Sequence, residues 1–192
     1  DEAVRDSLGL LLKASGVKSR CYESAEAFLA DFDPQEYGCL VLDVRMPGMG
    51  GLELQTVLRQ RNVALPIVFI TAHGDVPMAV EAVRRGAVDF IQKPFDDGAL
   101  VEKVTDALSA STRRHEEELE RNDIRRRVDS LTARERQVMT QVVRGKANKV
   151  IASDLGVSQR TVEIHRSRVM EKMRAASLAQ LVRMVLVAEA DI

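Results

Sequence analysis

The chain has 192 residues, of which 45% are hydrophobic and 30% are charged, and its formal net charge is −1. This composition indicates a globular protein with one large domain or two small ones. It excludes a membrane-spanning protein, because no apolar run approaches the roughly 18 residues that a membrane helix needs. We expect no signal peptide. Cys21 and Cys39 lack metal-ligand or CxxC spacing, which indicates core residues in a reducing cytoplasm.

The charge is unevenly distributed along the chain. Residues 1–108 carry 11 Lys and Arg against 17 Asp and Glu, a net of −6, and residues 109–130 carry 6 against 6. Residues 131–192 carry 11 against 6, a net of +5. Chance clustering is one explanation. We favour two domains, 1–108 and 131–192, joined by a bridge at 109–130, with only the second domain suited to a polyanion.

The first part of the chain alternates apolar strand-like runs with helical patterns. Strands are predicted at 17–22, 39–43, 66–71 and 88–92. Helices are predicted at 24–30, 51–60 and 76–85, with another beginning near Asp96. This alternation predicts an α/β domain whose parallel sheet is covered on both faces.

A helical pattern already occupies the first residues. Val4, Leu8, Leu11 and Leu12 have helical spacing, so the chain opens almost inside a helix. An α/β domain normally opens on a strand, and we therefore expect a strand and a loop before Asp1 in the natural protein. Without that strand, we expect neither the fold nor a metal site to persist.

Three polar side chains follow the predicted strands. Asp43 and Thr71 close their strands, and Lys93 follows the last strand by one residue. The carboxyl ends of parallel strands meet at one edge of a sheet, so these side chains should converge. A carboxylate beside a hydroxyl and an ammonium suits phosphoryl transfer to an acyl oxygen, with Mg²⁺ as a bridging ion. From spacing alone, an inert Asp43–Lys93 ion pair, or a turn capped by Asp43, is as good an interpretation.

The segments LVLDVRMPGMGGLEL, ITAHGDVPMAVEAVRRGAVDF and QKPF resemble the receiver domain of two-component response regulators, over residues 1–110. The resemblance implies a CheY-like (flavodoxin-like), doubly wound parallel sheet with strand order 2-1-3-4-5. It implies that Asp43 accepts phosphate from a sensor histidine kinase, and that Thr71, Phe90 and Lys93 form the switch. It also implies a cis Lys93–Pro94 bond and an Mg²⁺ ion held by Asp43, the backbone carbonyl of Arg45 and an acidic residue near the start, for which Asp1 is the candidate.

Two other functions remain open. A phosphorylation-independent DNA-binding regulator could use a degenerate receiver as a dimer module, and the missing acidic pair of the family favours it. A phosphohydrolase of the haloacid dehalogenase type also phosphorylates a strand-end aspartate. Such an enzyme needs a second acid two residues later as general acid and base, and Arg45 occupies that position. We therefore predict that the protein is not an enzyme.

The bridge at 109–130 contains no Gly or Pro and alternates in charge sign. Acid-before-base pairs four residues apart, such as Glu117 with Arg121, support an exposed helix. We predict a long linker helix that continues the last helix of the receiver. Leu108, His115, Leu119 and Asn122 form only a poor heptad seam, so a solvated spacer is favoured over a coiled-coil dimer.

The basic tail has the pattern of a helix-turn-helix. A capping box at Thr132 and Glu135 predicts the start of a helix. A short helix at 148–154, a turn at Gly156 and a longer basic helix from Ser158 to about Met173 follow. A last helix begins after Ser177. This tail resembles the LuxR-type DNA-binding domain in its four-helix form, and SQRTVEIHRSRVMEKM resembles the FixJ branch of that family.

The longer basic helix is the candidate recognition helix. Val162, Val169 and Met173 form its inward stripe. The side chains expected to meet base edges in the major groove are Arg160, Glu163, Ile164, Ser167 and Arg168. Those expected to contact phosphates are Lys149, Thr161, His165 and Arg166.

The whole sequence predicts a cytoplasmic, FixJ-like transcription factor that forms a homodimer on phosphorylation. We expect this homodimer to bind a near-palindromic promoter site, and to contact RNA polymerase if the protein is an activator. We expect no membrane binding.

Overall fold

The structure is a computed structural model that describes residues 1–34, 36–72 and 76–189. The chain divides into two compact units, and the boundary lies between His115 and Glu116. The first unit contains a parallel three-stranded sheet of order β1-β2-β3, with β1 at Leu40–Asp43, β2 at Ile67–Thr71 and β3 at Asp89–Gln92. Its helices are α1 at Glu2–Ala14, α2 at Ala25–Asp31, α3 at Gly51–Gln60, α4 at Val76–Arg84 and the first part of α5, which runs over Asp97–Asp129.

Both faces of this sheet are covered. Successive residues of a strand point to opposite faces, and every residue of β2 is buried. Phe69 belongs to a cluster with Leu54 and Leu58 of α3, whereas Val68 belongs to a cluster with Leu100 of α5. The predicted parallel α/β architecture is therefore confirmed. Three of the four predicted strands, and the helix predicted at 51–60, are present.

The predicted strand at 17–22 is wrong, because those residues form neither helix nor strand. A cavity of about 490 Å³ lies beside β1, and its lining includes Val17 and Tyr22 as well as Val41. A strand needs a hydrogen-bonded neighbour, and residues 17–22 are not part of the sheet that the described strands form. Among the described residues, β1 pairs only with β2.

The dependence of the fold on a strand before Asp1 stays a prediction, and the three strands of the described residues pair with one another. β1, β2 and β3 hydrogen-bond to one another in register, with Asp43 opposite Ile70 and Thr71 opposite Gln92. Helices pack on both faces of these strands.

Helix α5 contributes to both units, so the part predicted as a linker is less solvated than expected. In the first unit, Ser111 is buried and its Oγ accepts a hydrogen bond from the backbone N–H of Gly38 at 3.3 Å. The ring of His115 stacks on Tyr37 with centroids 4.7 Å apart. In the second unit, Ile124 is buried in the core.

The second unit is helical. After the last part of α5 come α6 at Ala133–Val143, α7 at Asn148–Leu155, α8 at Gln159–Met173 and α9 at Leu178–Glu189. The predicted capping box is present, since the Thr132 hydroxyl accepts from the Glu135 N–H and the Glu135 carboxylate accepts from the Thr132 N–H. Val138, Ile151 and Val162 are central to its apolar core. The predicted helix-turn-helix is therefore formed by α7 and α8.

Two general expectations can be compared with the structure. Within the described residues, none of the helices combines the length and apolar character that a membrane span requires. The prediction of core cysteines is wrong for Cys21, which is exposed. Cys39 is half-buried, and burial raises the pKa of its thiol to about 11.

Candidate functional site

Asp43 lies at the carboxyl end of β1, where both of its carboxylate oxygens accept hydrogen bonds. Oδ2 accepts from Nζ of Lys93 at 2.8 Å, and Oδ1 accepts from the backbone N–H of Arg45 at 3.1 Å. The Asp43 side chain is 29% exposed and that of Lys93 is 22% exposed. The carboxylate is thus held in place, paired with a cation, and still accessible to a small donor. The predicted meeting of Asp43 and Lys93 is confirmed.

Thr71 and Phe90 lie on the neighbouring strands. Thr71 is buried at the end of β2, one register position beyond Asp43, and its backbone carbonyl accepts from the Lys93 N–H at 2.7 Å. Phe90 is half-buried on β3, with its ring centroid 6.5 Å from that of Phe69. The Lys93–Pro94 peptide bond is cis, as predicted. The four predicted receiver residues therefore lie on or directly after three adjacent strands: Asp43 and Thr71 end β1 and β2, Phe90 lies within β3, and Lys93 follows it.

Gly51 allows α3 to start directly against the carboxyl end of β1. A Cβ at this position would lie 2.4 Å from the backbone oxygen of Asp43 and 3.1 Å from the Phe69 ring. Since no side chain can occupy that space, glycine is required for this approach. Its N–H donates to the Val44 carbonyl at 3.0 Å, which closes the loop of residues 44–50.

The residues present supply part of an Mg²⁺ site. Asp43 offers a partly exposed carboxylate, and the Arg45 carbonyl lies two residues further along the same loop. Mg²⁺ is commonly held by one or two carboxylates together with several waters, so these donors fit the ion. Among the described residues there is no cluster of three or more His, Cys, Asp or Glu side chains that could hold a metal. Asp1 lines the same cavity as Asp43, but its Oδ1 accepts from the Val4 N–H as the N-cap of α1.

In the second unit, α8 has the two faces that the sequence predicts. Val162, Val169 and Met173 are each at most 1% exposed and form the inward stripe. On the opposite face, Arg160, Ile164, Ser167 and Arg168 are exposed. Glu163 is 42% exposed in its side chain and is held by the amide of Gln159 at 3.3 Å and by Arg160 at 3.8 Å. This face is available to a groove of DNA.

The side chains predicted to contact phosphates differ in their surroundings. Lys149 is exposed, near the start of α7. The Thr161 hydroxyl lies 2.8 Å from that of Ser158, the N-cap of α8. Arg166 is half-buried and donates to Oδ1 of Asn148 at 3.1 Å, so it connects α8 to α7. Nδ1 of His165 is buried and has no hydrogen-bond partner within the part of the chain that the structure describes.

An ion pair between a buried carboxylate on α6 and a partly exposed lysine on the recognition helix joins the two helices. Glu135 is 2% exposed and its Oε2 accepts from Nζ of Lys172 at 2.7 Å. Nζ of Lys172 also donates to the Ser130 carbonyl at 3.2 Å. The Lys172 ammonium, followed by the Thr132 amide, lowers the pKa of the Glu135 carboxyl from 4.5 to about 2. This pair fixes the C-terminal half of α8 to the rest of its unit.

Sequence reasoning missed several of these contacts. Glu135 and Lys172 were each part of the family resemblance, but nothing in their spacing indicated that they pair. The hydrogen bond between Arg166 and Asn148 could not be predicted from the sequence either, because Asn148 has the pattern of an ordinary residue at the start of a helix. Glu26 of α2, whose Oε1 accepts from the Met49 N–H at 3.0 Å in the loop after Asp43, was also not singled out.

Two protein-family models match the chain, in the order that these two sites suggest. The response regulator receiver domain matches residues 1–105, and the luxR family of bacterial regulatory proteins matches residues 129–185. The chain belongs to the response regulators with a luxR-type DNA-binding domain. It is accordingly a phosphorylation-controlled transcriptional regulator, of a family whose members are not enzymes. The receiver domain implies a histidine kinase as partner, and the luxR-type domain implies DNA binding.

Known relatives of this response regulator cover nearly its whole length. The transcriptional regulatory protein FixJ of Azorhizobium caulinodans is 50% identical over 98% of this chain and 89% of the relative. FixJ of Rhizobium meliloti is 48% identical over 97% of this chain and 91% of the relative. Among solved structures, the response regulator StyR has a TM-score of 0.90 at 42% identity, covering 96% of this chain and 93% of that one. Full-length FixJ from B. japonicum has a TM-score of 0.58 at 43% identity, covering 99% and 94%.

Proposed function

We propose that Asp43 is the phosphoacceptor of this response regulator. The observation that carries the proposal is the partly exposed Asp43 carboxylate at the carboxyl edge of the sheet, hydrogen-bonded to Lys93. A carboxylate oxygen attacks the phosphorus of a phosphohistidine on the sensor kinase. The P–N bond breaks, its electron pair remains on the imidazole, and an acyl phosphate forms on Asp43. The Lys93 ammonium is placed to neutralise charge on the transferred group.

Mg²⁺ is the proposed cofactor of this step, held by Asp43, the backbone carbonyl of Arg45 and water molecules. When bound, the ion neutralises charge on the phosphoryl oxygens. The role of Asp1 as a further ligand stays a prediction. Its Oδ1 atom accepts a hydrogen bond from the Val4 N–H at 3.2 Å, so coordination through that oxygen would replace this bond.

The proposed switch passes from Asp43 through Thr71 and Phe90 to the surface of α4 and β3. Val80, Val83 and Val88 expose 43%, 54% and 51% of their surface there, and we call these three residues the valine surface. We take these exposed valines on α4 and next to β3 as the surface that another protein would cover. We propose that phosphorylation rearranges this surface so that two copies of the chain form a homodimer through it.

The proposed output is sequence-specific DNA binding by α8. Arg160, Glu163 and Ser167 read base edges, with Ile164 and Arg168 on the same exposed face. Lys149, Thr161 and His165 contact phosphates, and Arg166 does so through guanidinium N–H groups other than the one that donates to Asn148. A homodimer would bind two half-sites about one helical turn apart, so the promoter site should be near-palindromic. The protein acts in the cytoplasm, and as an activator it would contact RNA polymerase.

The alternative function that the sequence leaves open is a regulator whose DNA binding is independent of phosphorylation, with a degenerate receiver that only supports dimerisation.

One experiment separates the two functions. The full chain is incubated with acetyl phosphate and Mg²⁺, and the product is examined by mass spectrometry before and after Asp43→Asn substitution. Uptake of one phosphoryl group by the unmodified chain, absent from the Asp43→Asn variant, supports the phosphoacceptor. Uptake by neither protein, with folded chains, supports the degenerate receiver.

A further inference from the structure

The loop that follows Asp43 is held at its tip by a residue from α2. Oε1 of Glu26 accepts a hydrogen bond from the Met49 N–H at 3.0 Å. Gly48 also lies close to this carboxylate. A Cβ atom at position 48 would be only 3.0 Å from Oε1 of Glu26. Gly48 also has a φ of +73°, which favours glycine. Two neighbouring loop residues are therefore adapted to one side chain from another element.

Glu26 is itself fixed and ionised. It lies in the first turn of α2, where the Ser24 hydroxyl caps the helix by accepting from the Ala27 N–H at 3.1 Å. Hydrogen bonds from its own backbone amide and from the Met49 amide hold the pKa of the Glu26 carboxyl below its ordinary value of 4.5. The acceptor is thus a carboxylate at neutral pH, which makes the bond to Met49 charge-assisted.

The other end of the loop is fixed beside the candidate phosphorylation site. The Gly51 N–H donates to the Val44 carbonyl, and the Arg45 N–H donates to Oδ1 of Asp43. The loop therefore carries, on one short segment, the amide that orients the Asp43 carboxylate and the tip that Glu26 holds. Displacement of the tip would be transmitted to Arg45 over only a few residues.

We propose that Glu26 is a positioning residue for the phosphorylation of Asp43. It holds residues 44–50 in the conformation that keeps the Arg45 amide and carbonyl beside the Asp43 carboxylate. This inference rests on the proposed function of Asp43. Glu26 touches no reacting atom, and its contribution is to the placement of groups that do.

The test uses the full chain and two substitutions at the same position. Glu26→Ala removes the acceptor, whereas Glu26→Gln keeps an oxygen that can accept from Met49. Glu23→Ala is the matched control, because it removes the same charge three residues earlier at an exposed position. Two quantities are measured: the hydrogen-exchange rate of the Met49 amide, and the rate of phosphoryl uptake from acetyl phosphate over a range of Mg²⁺ concentrations.

We expect Glu26→Ala to speed Met49 exchange by about tenfold. Phosphoryl uptake should be slower by roughly three- to tenfold, because small displacements of positioning groups have effects of this size or larger. Glu26→Gln should restore uptake to within about twofold of the unmodified chain, and Glu23→Ala should change neither quantity. Circular dichroism and thermal unfolding should be alike for all four proteins.

Other results overturn the inference. Faster Met49 exchange in Glu26→Ala with unchanged uptake would show that the hold on the loop does not serve phosphorylation. Slow uptake in Glu26→Gln equal to that of Glu26→Ala would assign the effect to charge instead of the hydrogen bond. Failure of the proposed function has a different signature: the unmodified chain takes up no phosphoryl group although its Met49 amide is protected.

Discussion

Asp43 and Lys93 form an ion pair that the stability of the fold does not require. Both side chains are partly exposed, and such pairs typically contribute about 1 kcal/mol or less to the free energy of unfolding. A carboxylate at the end of an apolar strand is therefore better explained by chemistry than by stability. The buried hydroxyl of Thr71, one register position beyond, has the complementary property: it is close to the site but shielded from solvent.

Thr71→Val tests whether phosphoryl uptake at Asp43 can be separated from the resulting change in DNA affinity. Valine preserves the volume and β-branched shape of threonine but removes the hydroxyl. Because the hydroxyl is not the nucleophile, phosphoryl uptake at Asp43 should continue, within about threefold of the unmodified rate. The increase in DNA affinity on phosphorylation should be lost. Mass spectrometry and a DNA-binding titration on the same samples give both quantities, and a phosphorylated Thr71→Val protein with a full DNA response would contradict the switch role.

Glu135 leads to a prediction about pH. The pKa of its carboxyl is lowered from 4.5 to about 2 in the folded unit, so the stabilisation is fully present above pH 4.5 and is lost as the pH falls toward 2. In Glu135→Gln, urea unfolding of the DNA-binding unit should show a stability lower by about 2 kcal/mol at pH 7. The gap between the two proteins should narrow as pH falls from 4.5 to 2. A gap that stays constant over that range would show that the ion pair does not lower this pKa.

Among the elements, the recognition helix shows which contacts can be predicted from the sequence. Its buried apolar stripe can be predicted, whereas the contacts of its polar side chains cannot. The inward stripe follows from helical periodicity, since Val162 and Val169 are seven residues apart and both are buried. The positions of the polar side chains depend on other elements. Arg166 was predicted to contact phosphate, but Asn148 of α7 holds it, and periodicity within α8 contains no information on that bond.

Glu163 and Lys149 test the division between base and phosphate contacts. Glu163→Ala should change the preferred base at one position by about 1–3 kcal/mol, because a carboxylate accepts from only some base edges. Lys149→Ala should weaken all sequences alike and reduce the slope of log K against log salt by about one. Both are measured by titration against a library of sites at several salt concentrations. Uniform weakening by Glu163→Ala, together with lost selectivity in Lys149→Ala, would reverse the assignment.

How much of the structure the sequence predicts depends on how far apart the interacting residues lie. The helix at Gly51–Gln60 and the strand ends at Asp43 and Thr71 follow from local patterns, and the meeting of Asp43 with Lys93 follows from them. The segment 17–22 has strand-like composition, but strand formation also needs a paired neighbour, which composition does not report. Glu26 and Met49 are 23 residues apart in sequence, so only the folded chain brings them together.

At the scale of the whole molecule, helix α5 is continuous from Asp97 to Asp129 and supplies core residues to both units. Leu100 and Val104 are buried in the first unit, and Ile124 is buried in the second. The segment predicted as a solvated spacer, 109–130, therefore contributes Ile124 to the core of the second unit. Substitutions in this helix should be interpreted first as effects on the unit in which the side chain is buried.

Val83→Asp tests the valine surface as the site of dimerisation. A charge within an apolar interface should weaken the phosphorylated dimer by at least tenfold, an effect of about 1.4 kcal/mol or more. The unphosphorylated chain should be unchanged, because Val83 is exposed in it. Leu10→Asp, at a position 69% exposed on α1, is the matched control. Sedimentation with and without acetyl phosphate measures the mass, and equal dimerisation of Val83→Asp and the unmodified chain would place the interface elsewhere.

DNA affinity as a function of the phosphorylation state of Asp43 tests the proposed control of DNA binding by phosphorylation. The unmodified chain and Asp43→Asn are titrated against a promoter site selected from a library, each with and without prior treatment with acetyl phosphate and Mg²⁺. We predict that treatment increases the affinity of the unmodified chain by about tenfold or more and leaves Asp43→Asn unchanged, since a ligand shifts a two-state equilibrium by its differential affinity for the states. Equal DNA affinities for the treated and untreated chain, with Asp43 shown to be phosphorylated, would contradict the proposal that phosphorylation of Asp43 controls DNA binding.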